Sequence, residues 1–197
     1  MLGSEVTVVE AMDSVLPIFD KELRRPLEIA IKKQRIKTHL GVFAKGTEAT
    51  KDGRVQLNFI DKNEKDEKKM QHVVVDKVLV TVGRKPNSAS LAPTGVALDE
   101  RGFVKVNDRC ETNMKGVYAI GDVCDSGEML AHVASFQGEM VAEIIAGKKR
   151  AYDPVAVPAI VFTEPEVVSV GLSPDEAKAA GHPVITGKFP LAANGRA

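Results

Sequence analysis

The residues best placed for chemistry are Gly121 and Asp122, which directly follow the short apolar run Val117–Ile120. The run and the Lys115-Gly116 turn before it predict a buried parallel strand that ends in a carboxylate. Ligands of open α/β sheets lie beyond the carboxyl ends of the strands, and a glycine lets the backbone come close to a ligand. Asp122 is therefore a candidate acceptor for a polyol hydroxyl. The alternative is an ordinary buried strand followed by a turn.

A second candidate carboxylate is Glu10, which closes the apolar run Val6–Glu10. In dinucleotide-binding folds, an acid after the second strand accepts a hydrogen bond from the adenosine ribose 2′-hydroxyl of NAD and repels the 2′-phosphate of NADP. That role needs a G-x-G-x-x-G loop about 20 residues earlier, and the sequence holds none before Glu10. Taken alone, Glu10 is a strand-ending acid.

Composition argues against several other classes of function. The 197 residues include 27 Lys plus Arg and 27 Asp plus Glu, so the formal net charge is zero and neither nucleic acid nor a membrane surface is an expected partner. Cys110 and Cys124 fit neither a disulfide scaffold nor a C-x-x-C redox or zinc site. We expect no metal site and a reducing compartment. The sequence has no signal-peptide pattern and no apolar run approaching the about 20 residues of a membrane span.

The elements that would hold these residues follow from the sequence pattern. A helix is predicted over Asp20–Gln34, with Asp20 as its N-cap and with Pro26 expected to bend the helix or delay its start. The Asp52-Gly53 pair is a hairpin signal. Strands are predicted at Ile36–Phe43, Gly46–Ala49, Val55–Ile60, Val73–Val75 and Val78–Val82.

Further along the chain, the clearest helix spans Leu130–Ala146. Asp153–Pro158 is a proline-marked linker, and Ser173 begins a short helix with a capping box. Strands are predicted at Ala159–Thr163 and Val167–Gly171. The apolar face of the long helix is predicted to contain Val133, Phe136 or Gln137, Met140, Val141, Ile144 and Ile145.

Several motifs together resemble the pyridine nucleotide-disulfide oxidoreductases, which are flavoproteins with two dinucleotide folds. The segment TNMKGVYAIGDV, residues 112–123, resembles their second flavin-binding motif. The segment TVGRKPN, residues 81–87, resembles the crossing from the NAD domain to the FAD domain. There Gly83 permits close backbone approach to the dinucleotide and Pro86 stiffens the crossing. Residues 157–172 and 189–197 resemble parts of the interface domain. The resemblance spans essentially the whole chain.

The resemblance implies a fold, two cofactors and their contacts. The fold is α/β, Rossmann-like with an antiparallel meander, followed by the start of an α+β interface and dimerisation domain. Its expected limits are 1–84 for the NAD domain, 85–152 for the last part of the FAD domain and 153–197 for the interface domain. FAD and NAD are the implied cofactors. The implied cofactor-binding residues are Glu10 for NAD, Gly83, Gly121 and Asp122 for the dinucleotide and ribityl chain, and the backbone of Leu130, Ala131 and His132 for the flavin ring.

Within this family, Glu10 combined with the ending AANGRA most resembles the dihydrolipoyl dehydrogenases. The implied reaction is oxidation of dihydrolipoamide with NAD as acceptor, in 2-oxo acid dehydrogenase complexes or glycine cleavage. The implied partners are a second subunit and lipoyl domains, in the bacterial cytoplasm or the mitochondrial matrix. The family's Gly-rich loops, C-x-x-x-x-C disulfide and carboxy-terminal His–Glu pair do not occur in this sequence. We therefore expect an internal segment with no catalytic residue of its own, which is inactive alone.

Two alternatives stay open at this level. One is a related NAD(P)H-dependent reductase of glutathione, mercury or another disulfide. An NADP-using enzyme would usually carry a basic residue near Glu10, and Ala11-Met12-Asp13 offers none. The other is a non-catalytic nucleotide-binding module.

Overall fold

The computed structural model describes residues 3–125 and 129–195. The chain divides into two compact units: residues 1–80 with 158–197, and residues 81–157. This division follows contacts within the chain, so the three domains expected from the sequence stay a prediction. Arg196 and Ala197, which end the interface-domain motif, lie outside the described residues.

The first unit begins with a β-α-β element. Strand β1 (Thr7–Glu10) pairs in parallel with β2 (Lys37–Leu40), which places Glu10 opposite Leu40. Helix α1 (Lys21–Lys33) connects them, and the Asp20 side chain caps it by accepting a hydrogen bond from the Glu22 N–H at 2.7 Å. The helix continues through Pro26. Of the two effects expected of Pro26, a delayed start was wrong, because one missing backbone donor does not outweigh the packing of a helix with a buried face. A bend at Pro26 stays a prediction.

A three-stranded antiparallel meander follows, in the order β3 (Val42–Ala49), β4 (Val55–Asp61) and β5 (Gln71–Val75). The predicted hairpin turn lies between β3 and β4, where Gly53 has a φ of 82°. The predicted strand Ile36–Phe43 is divided between β2 and β3 by Gly41, whose φ is 67°. A left-handed residue cannot continue a strand, so the chain leaves the parallel pair there and enters the meander.

The last part of the first unit is a hairpin packed on α1. Strands β6 (Pro158–Val161) and β7 (Val167–Val170) pair antiparallel, and helix α3 (Pro174–Ala179) begins with the predicted capping box of Ser173 and Glu176. Phe19 before α1, Leu27 within it and Val167 of β7 form a buried core. Burial of Leu27 against the hairpin is what holds the amphipathic helix in place.

The second unit contains the long helix α2 (Ala131–Ile145), as predicted. Of the two candidates for its apolar face, Gln137 is buried and Phe136 is 44% exposed. Ile145 is also exposed. The core of the unit consists of Cys110 packed with the α2 residues Met140, Val141 and Ile144, and Tyr118 and Tyr152 cover it.

Two predicted strands do not form. Residues 78–82 form no strand with any other described residue, and Leu79 and Val82 are 86% and 92% exposed. Residues 117–120 make only an isolated bridge, between Tyr118 and Glu111. Apolar pattern identifies a segment that can join a sheet, but a strand also needs a neighbour to complete its hydrogen bonds.

Because Cys110 lies in the core of the second unit, the stability of the folded chain should depend on pH. Burial, with a smaller contribution from the Cys124 thiol, raises the pKa of the Cys110 thiol from 9.0 to about 11. Between these values the folded chain keeps a proton that the unfolded chain loses, so stability is complete below pH 9 and falls as the pH rises toward 11. A pKa difference of this size corresponds to about 2–3 kcal/mol. Between pH 8 and pH 10.5, the free energy of unfolding measured with urea should fall by more in the wild-type chain than in Cys110→Ala. Equal losses would contradict the assignment.

Candidate functional site

The Gly121–Asp122 pair lies in a tight turn against α2. Residues Gly121–Val123 form one turn of 3-10 helix, and Gly121 has a φ of 67°. A Cβ atom at Gly121 would lie 3.0 Å from the Cβ of Ala134 in α2. Both the left-handed backbone and the close approach of the helix therefore favour glycine at this position.

The peptide groups of Gly121 are held by two other residues. Its N–H donates to Oε1 of Gln137 at 2.7 Å, and Gln137 is fully buried. Its carbonyl accepts from the Cys124 N–H at 3.1 Å and lies 3.2 Å from the Cys124 Sγ. The backbone that presents Asp122 is thus fixed from both sides. From the sequence, Gln137 was predicted only as a candidate for the apolar face of α2. The signal for its contact with Gly121 was a single amide among the apolar positions of that helix.

The Asp122 carboxylate faces residues 81–87, here called the crossing segment, which contain Gly83. Its Oδ2 lies 2.6 Å from Nη2 of Arg84, and the Asp122 side chain is one third exposed. An exposed ion pair of this kind adds about 0–1 kcal/mol to stability, so its main consequence is to orient the carboxylate. Gly83 has a φ of 122° with open space around its Cβ position. The structure therefore brings together the two motifs that the sequence placed about forty residues apart.

The start of α2 offers backbone donors to a ligand. The N-cap residue is Leu130, whose apolar side chain supplies no hydrogen-bond acceptor, and the first turn contains no acidic residue. The first N–H groups of any helix lack intrahelical partners and carry a partial positive charge. Ala131 and His132 are exposed there. A carbonyl or a negatively charged group can bind at this end through the backbone, without chemistry from the His132 imidazole.

Glu10, in the other unit, ends β1 and leads into a fixed loop. It is half-buried, and its Oε1 accepts from the Met12 N–H at 2.8 Å. The Met12 carbonyl accepts from the Gly41 N–H at 2.9 Å. Asp13 forms an ion pair of 2.6 Å with Lys62. A carboxylate has acceptor sites on both oxygens, so Glu10 can hold its loop and still accept a hydrogen bond from a sugar hydroxyl.

Other kinds of site find little support in the described residues. Within residues 3–125 and 129–195, no group of three His, Cys, Asp or Glu side chains could hold a metal ion. Across the same ranges no helix is long and apolar enough to span a membrane. His72, His132 and His182 are exposed. His39 is half-buried, with its ring 4.6 Å from that of Phe59, because β2 and β4 bring the two rings together.

Two regions of the chain match a known protein family. Residues 1–138 match the family described as pyridine nucleotide-disulphide oxidoreductase. Residues 157–197 match the dimerisation domain of the same family. The second match covers β6, β7 and α3, the region where the sequence predicted the start of an interface domain.

Curated relatives match the chain along its full length. It is 47% identical over 199 aligned residues to the dihydrolipoyl dehydrogenase of Pseudomonas aeruginosa, with 100% of this chain and 40% of the relative covered. It is 45% identical to the dihydrolipoyl dehydrogenase of Thermus scotoductus, with 100% of this chain and 42% of that relative covered. The chain thus spans about two fifths of the length of these relatives.

Solved structures confirm the predicted fold class. The HOCl-induced flavoprotein disulfide reductase RclA from Escherichia coli is similar with a TM-score of 0.83 at 27% identity, over 98% of this chain and 43% of that one. LpdA from Mycobacterium tuberculosis is similar with a TM-score of 0.86 at 28% identity, over 99% of this chain and 41% of that one. The α/β, Rossmann-like architecture of two-dinucleotide-fold flavoproteins is therefore the fold of this chain.

Proposed function

Because the chain belongs to the pyridine nucleotide-disulphide oxidoreductase family, we propose that it is the segment of a dihydrolipoyl dehydrogenase that contacts both FAD and NAD. The proposed reaction is oxidation of dihydrolipoamide with NAD as acceptor. Its main support is the turn at Gly121–Asp122, where a half-buried carboxylate is held beside the crossing segment and against α2. The identity of 47% to a curated dihydrolipoyl dehydrogenase favours this member of the family.

The residues of the second unit suit a flavin. Asp122 would accept a hydrogen bond from a hydroxyl of the ribityl chain, and Gly83 would leave space for the cofactor beside the crossing segment. The backbone N–H groups at Leu130, Ala131 and His132 would stabilise negative charge on the flavin ring. When bound, FAD relays electrons from a dithiol to the nicotinamide. The chain's own contribution is to position the cofactor and to stabilise its charge.

The loop after β1 suits NAD rather than NADP. Glu10 would accept from the ribose 2′-hydroxyl and repel a 2′-phosphate. Lys62, a cation beside this loop, is already paired with Asp13. We further propose a homodimer formed through the segment 157–197, lipoyl domains as partners, and a bacterial cytoplasmic or mitochondrial matrix location.

A hybrid enzyme tests the proposal. In it, this chain replaces the matching segment of the Pseudomonas dihydrolipoyl dehydrogenase, whose remaining parts would supply the Gly-rich loops, redox cysteines and His–Glu pair that the family resemblance implies. We expect purified hybrid enzyme to carry about one FAD per subunit, since both halves of the flavin site are then present. The 197-residue chain alone should not bind FAD stoichiometrically, because it lacks the pyrophosphate loop. A stoichiometric yellow complex of the chain alone would contradict this division of the site.

Replacement of Glu10 by alanine should weaken NAD binding and relax discrimination against NADP. The lost contact is a charge-assisted hydrogen bond, worth about 1.5–3 kcal/mol, or about 10–100-fold in kcat/KM for NAD. The measurement is the ratio of kcat/KM for the two cofactors in the hybrid enzyme. Asp13→Ala is the matched control, since it removes a neighbouring charge that is paired with Lys62. If the ratio is the same in Glu10→Ala and the unsubstituted hybrid, Glu10 is not the ribose ligand.

A further inference from the structure

We propose that Gln137 is a positioning residue of the flavin site. Its amide oxygen holds the Gly121 N–H and thereby sets the Asp122 carboxylate at a fixed distance from the first turn of α2. The inference rests on the proposed function, because it assigns a role within the same flavin site. In this proposal Gln137 acts on the cofactor through the Gly121 backbone, whose N–H its Oε1 accepts.

The burial of Gln137 is the first observation in support. Its side chain is fully buried on the face of α2 that also carries Val133, Met140 and Val141. A buried amide carries a desolvation penalty that its hydrogen bonds must offset, whereas a leucine or methionine of similar volume would fill the same space without that penalty. The hydrogen bond from the Gly121 N–H to the Gln137 Oε1, at 2.7 Å, offsets part of this penalty.

The contacts around Gln137 join the turn to the helix at several points. Ala134, one helical turn before Gln137, lies 3.0 Å from where a Gly121 Cβ would be. Gly138, the next residue, leaves room for the Ile120 side chain, whose Cδ1 lies 3.4 Å from the Cβ position of that glycine. Helix positions three and four apart share a face. Residues 134, 137 and 138 thus form one surface on which residues 120 and 121 lie.

The attachment of Gly121 to α2 should favour cofactor binding. The proposed ribityl acceptor Asp122 immediately follows Gly121. The backbone donors proposed for the flavin ring begin at Leu130, seven residues before Gln137. A rigid connection keeps these two groups at one spacing before the cofactor arrives, which lowers the entropy cost of binding. Of the contacts at this junction, the hydrogen bond from Gly121 to Gln137 is directional, so it fixes orientation as well as distance.

The test compares three substitutions. Gln137→Leu removes the acceptor at similar volume, Gln137→Glu keeps an acceptor oxygen in either protonation state, and Met140→Leu changes another buried residue of α2 one turn from the Gly121 contact. FAD affinity and the visible circular dichroism of the bound flavin are measured in the hybrid enzyme. Hydrogen exchange of the Gly121 amide is measured by NMR in the 197-residue chain, which needs no cofactor.

We expect Gln137→Leu to raise the Kd for FAD about 10-fold, change the flavin dichroism and speed exchange of the Gly121 amide at least about 10-fold, as loss of one well-placed hydrogen bond implies. Gln137→Glu should recover most of the affinity and the dichroism. Met140→Leu should leave both unchanged. Unchanged FAD affinity and dichroism in Gln137→Leu would overturn the inference, as would equal losses in the Leu and Glu variants, which indicate a packing role.

A different result would contradict the proposed function itself: an unsubstituted hybrid enzyme that folds but retains no flavin. In that case the inference is decided by the chain alone: an unchanged Gly121 exchange rate in Gln137→Leu would overturn it. Faster exchange at Gly121, with no change at the amides of β4, would support Gln137 as the group that holds the turn.

Discussion

Replacement of Gly121 by alanine should lower the free energy of unfolding by about 2–5 kcal/mol. Part of this loss, about 1–2 kcal/mol, is the strain of a side chain at a φ of 67°. The remainder, about 1–3 kcal/mol, comes from forcing a methyl group to within 3.0 Å of the Ala134 Cβ. Urea unfolding of the 197-residue chain, followed by circular dichroism, measures the change.

Two further variants separate strain from crowding. Gly116 has a φ of 79° but no atom within 4 Å of its Cβ position, so Gly116→Ala should cost only the strain, about 1–2 kcal/mol. Ala134→Gly alone should cost about 1 kcal/mol, because glycine is unfavourable within a helix. Measured relative to that variant, Gly121→Ala should cost less than it does in the wild-type chain, because the opposing methyl group is absent, and part of the stability is thereby recovered. If Gly121→Ala and Gly116→Ala have the same effect and Ala134→Gly recovers nothing, α2 does not lie against the turn as described.

Replacement of Asp122 by alanine should weaken FAD binding to the hybrid enzyme by about 10–100-fold. The variant loses a charge-assisted hydrogen bond, worth about 1.5–3 kcal/mol, and leaves the Arg84 guanidinium without its partner at 2.6 Å. Fluorescence titration of the flavin-free hybrid with FAD measures the Kd. The chain should still fold, since Gly121 and its contacts with α2 are unchanged.

The controls for Asp122 lie close by in the sequence. Asp125 is exposed, and Asp125→Ala removes the same charge without removing the proposed ribityl acceptor, so FAD affinity should be nearly unchanged. Arg84→Ala leaves the carboxylate but removes its orienting cation, and we expect an intermediate loss. An Asp122→Ala hybrid that binds FAD as tightly as its Asp125→Ala counterpart would exclude Asp122 as a flavin ligand.

Sequence-based expectations were most accurate where the determinants are local. The N-cap at Asp20, the capping box at Ser173 and the hairpin at Gly53 each depend on residues within a few positions, and the structure confirms all three. The long helix α2 was also predictable, because its buried face repeats with the helical period over four turns. Such signals need no knowledge of what lies across the fold.

The contacts that shape the candidate site are long-range, and the sequence did not predict them. Arg84 meets Asp122 and Gln137 meets Gly121 only after the chain has folded, and neither pair has a spacing rule that identifies it. The same reason explains the strand predicted at Val78–Val82, which has the apolar pattern but no pairing partner among the described residues. Motif resemblance supplied Asp122 and Glu10 as candidates; the structure supplied the residues that hold them.

The most direct test of the central claim is the rate of dihydrolipoamide-dependent NAD reduction by the hybrid enzyme, with the intact Pseudomonas enzyme as reference. If this chain is the cofactor-contacting segment of a dihydrolipoyl dehydrogenase, the hybrid should contain FAD, reduce NAD within about 10-fold of the reference rate and use NADP far less well. A folded, FAD-containing dimer that leaves NAD unreduced by dihydrolipoamide, or that transfers electrons only between NADPH and another disulfide, would contradict the account.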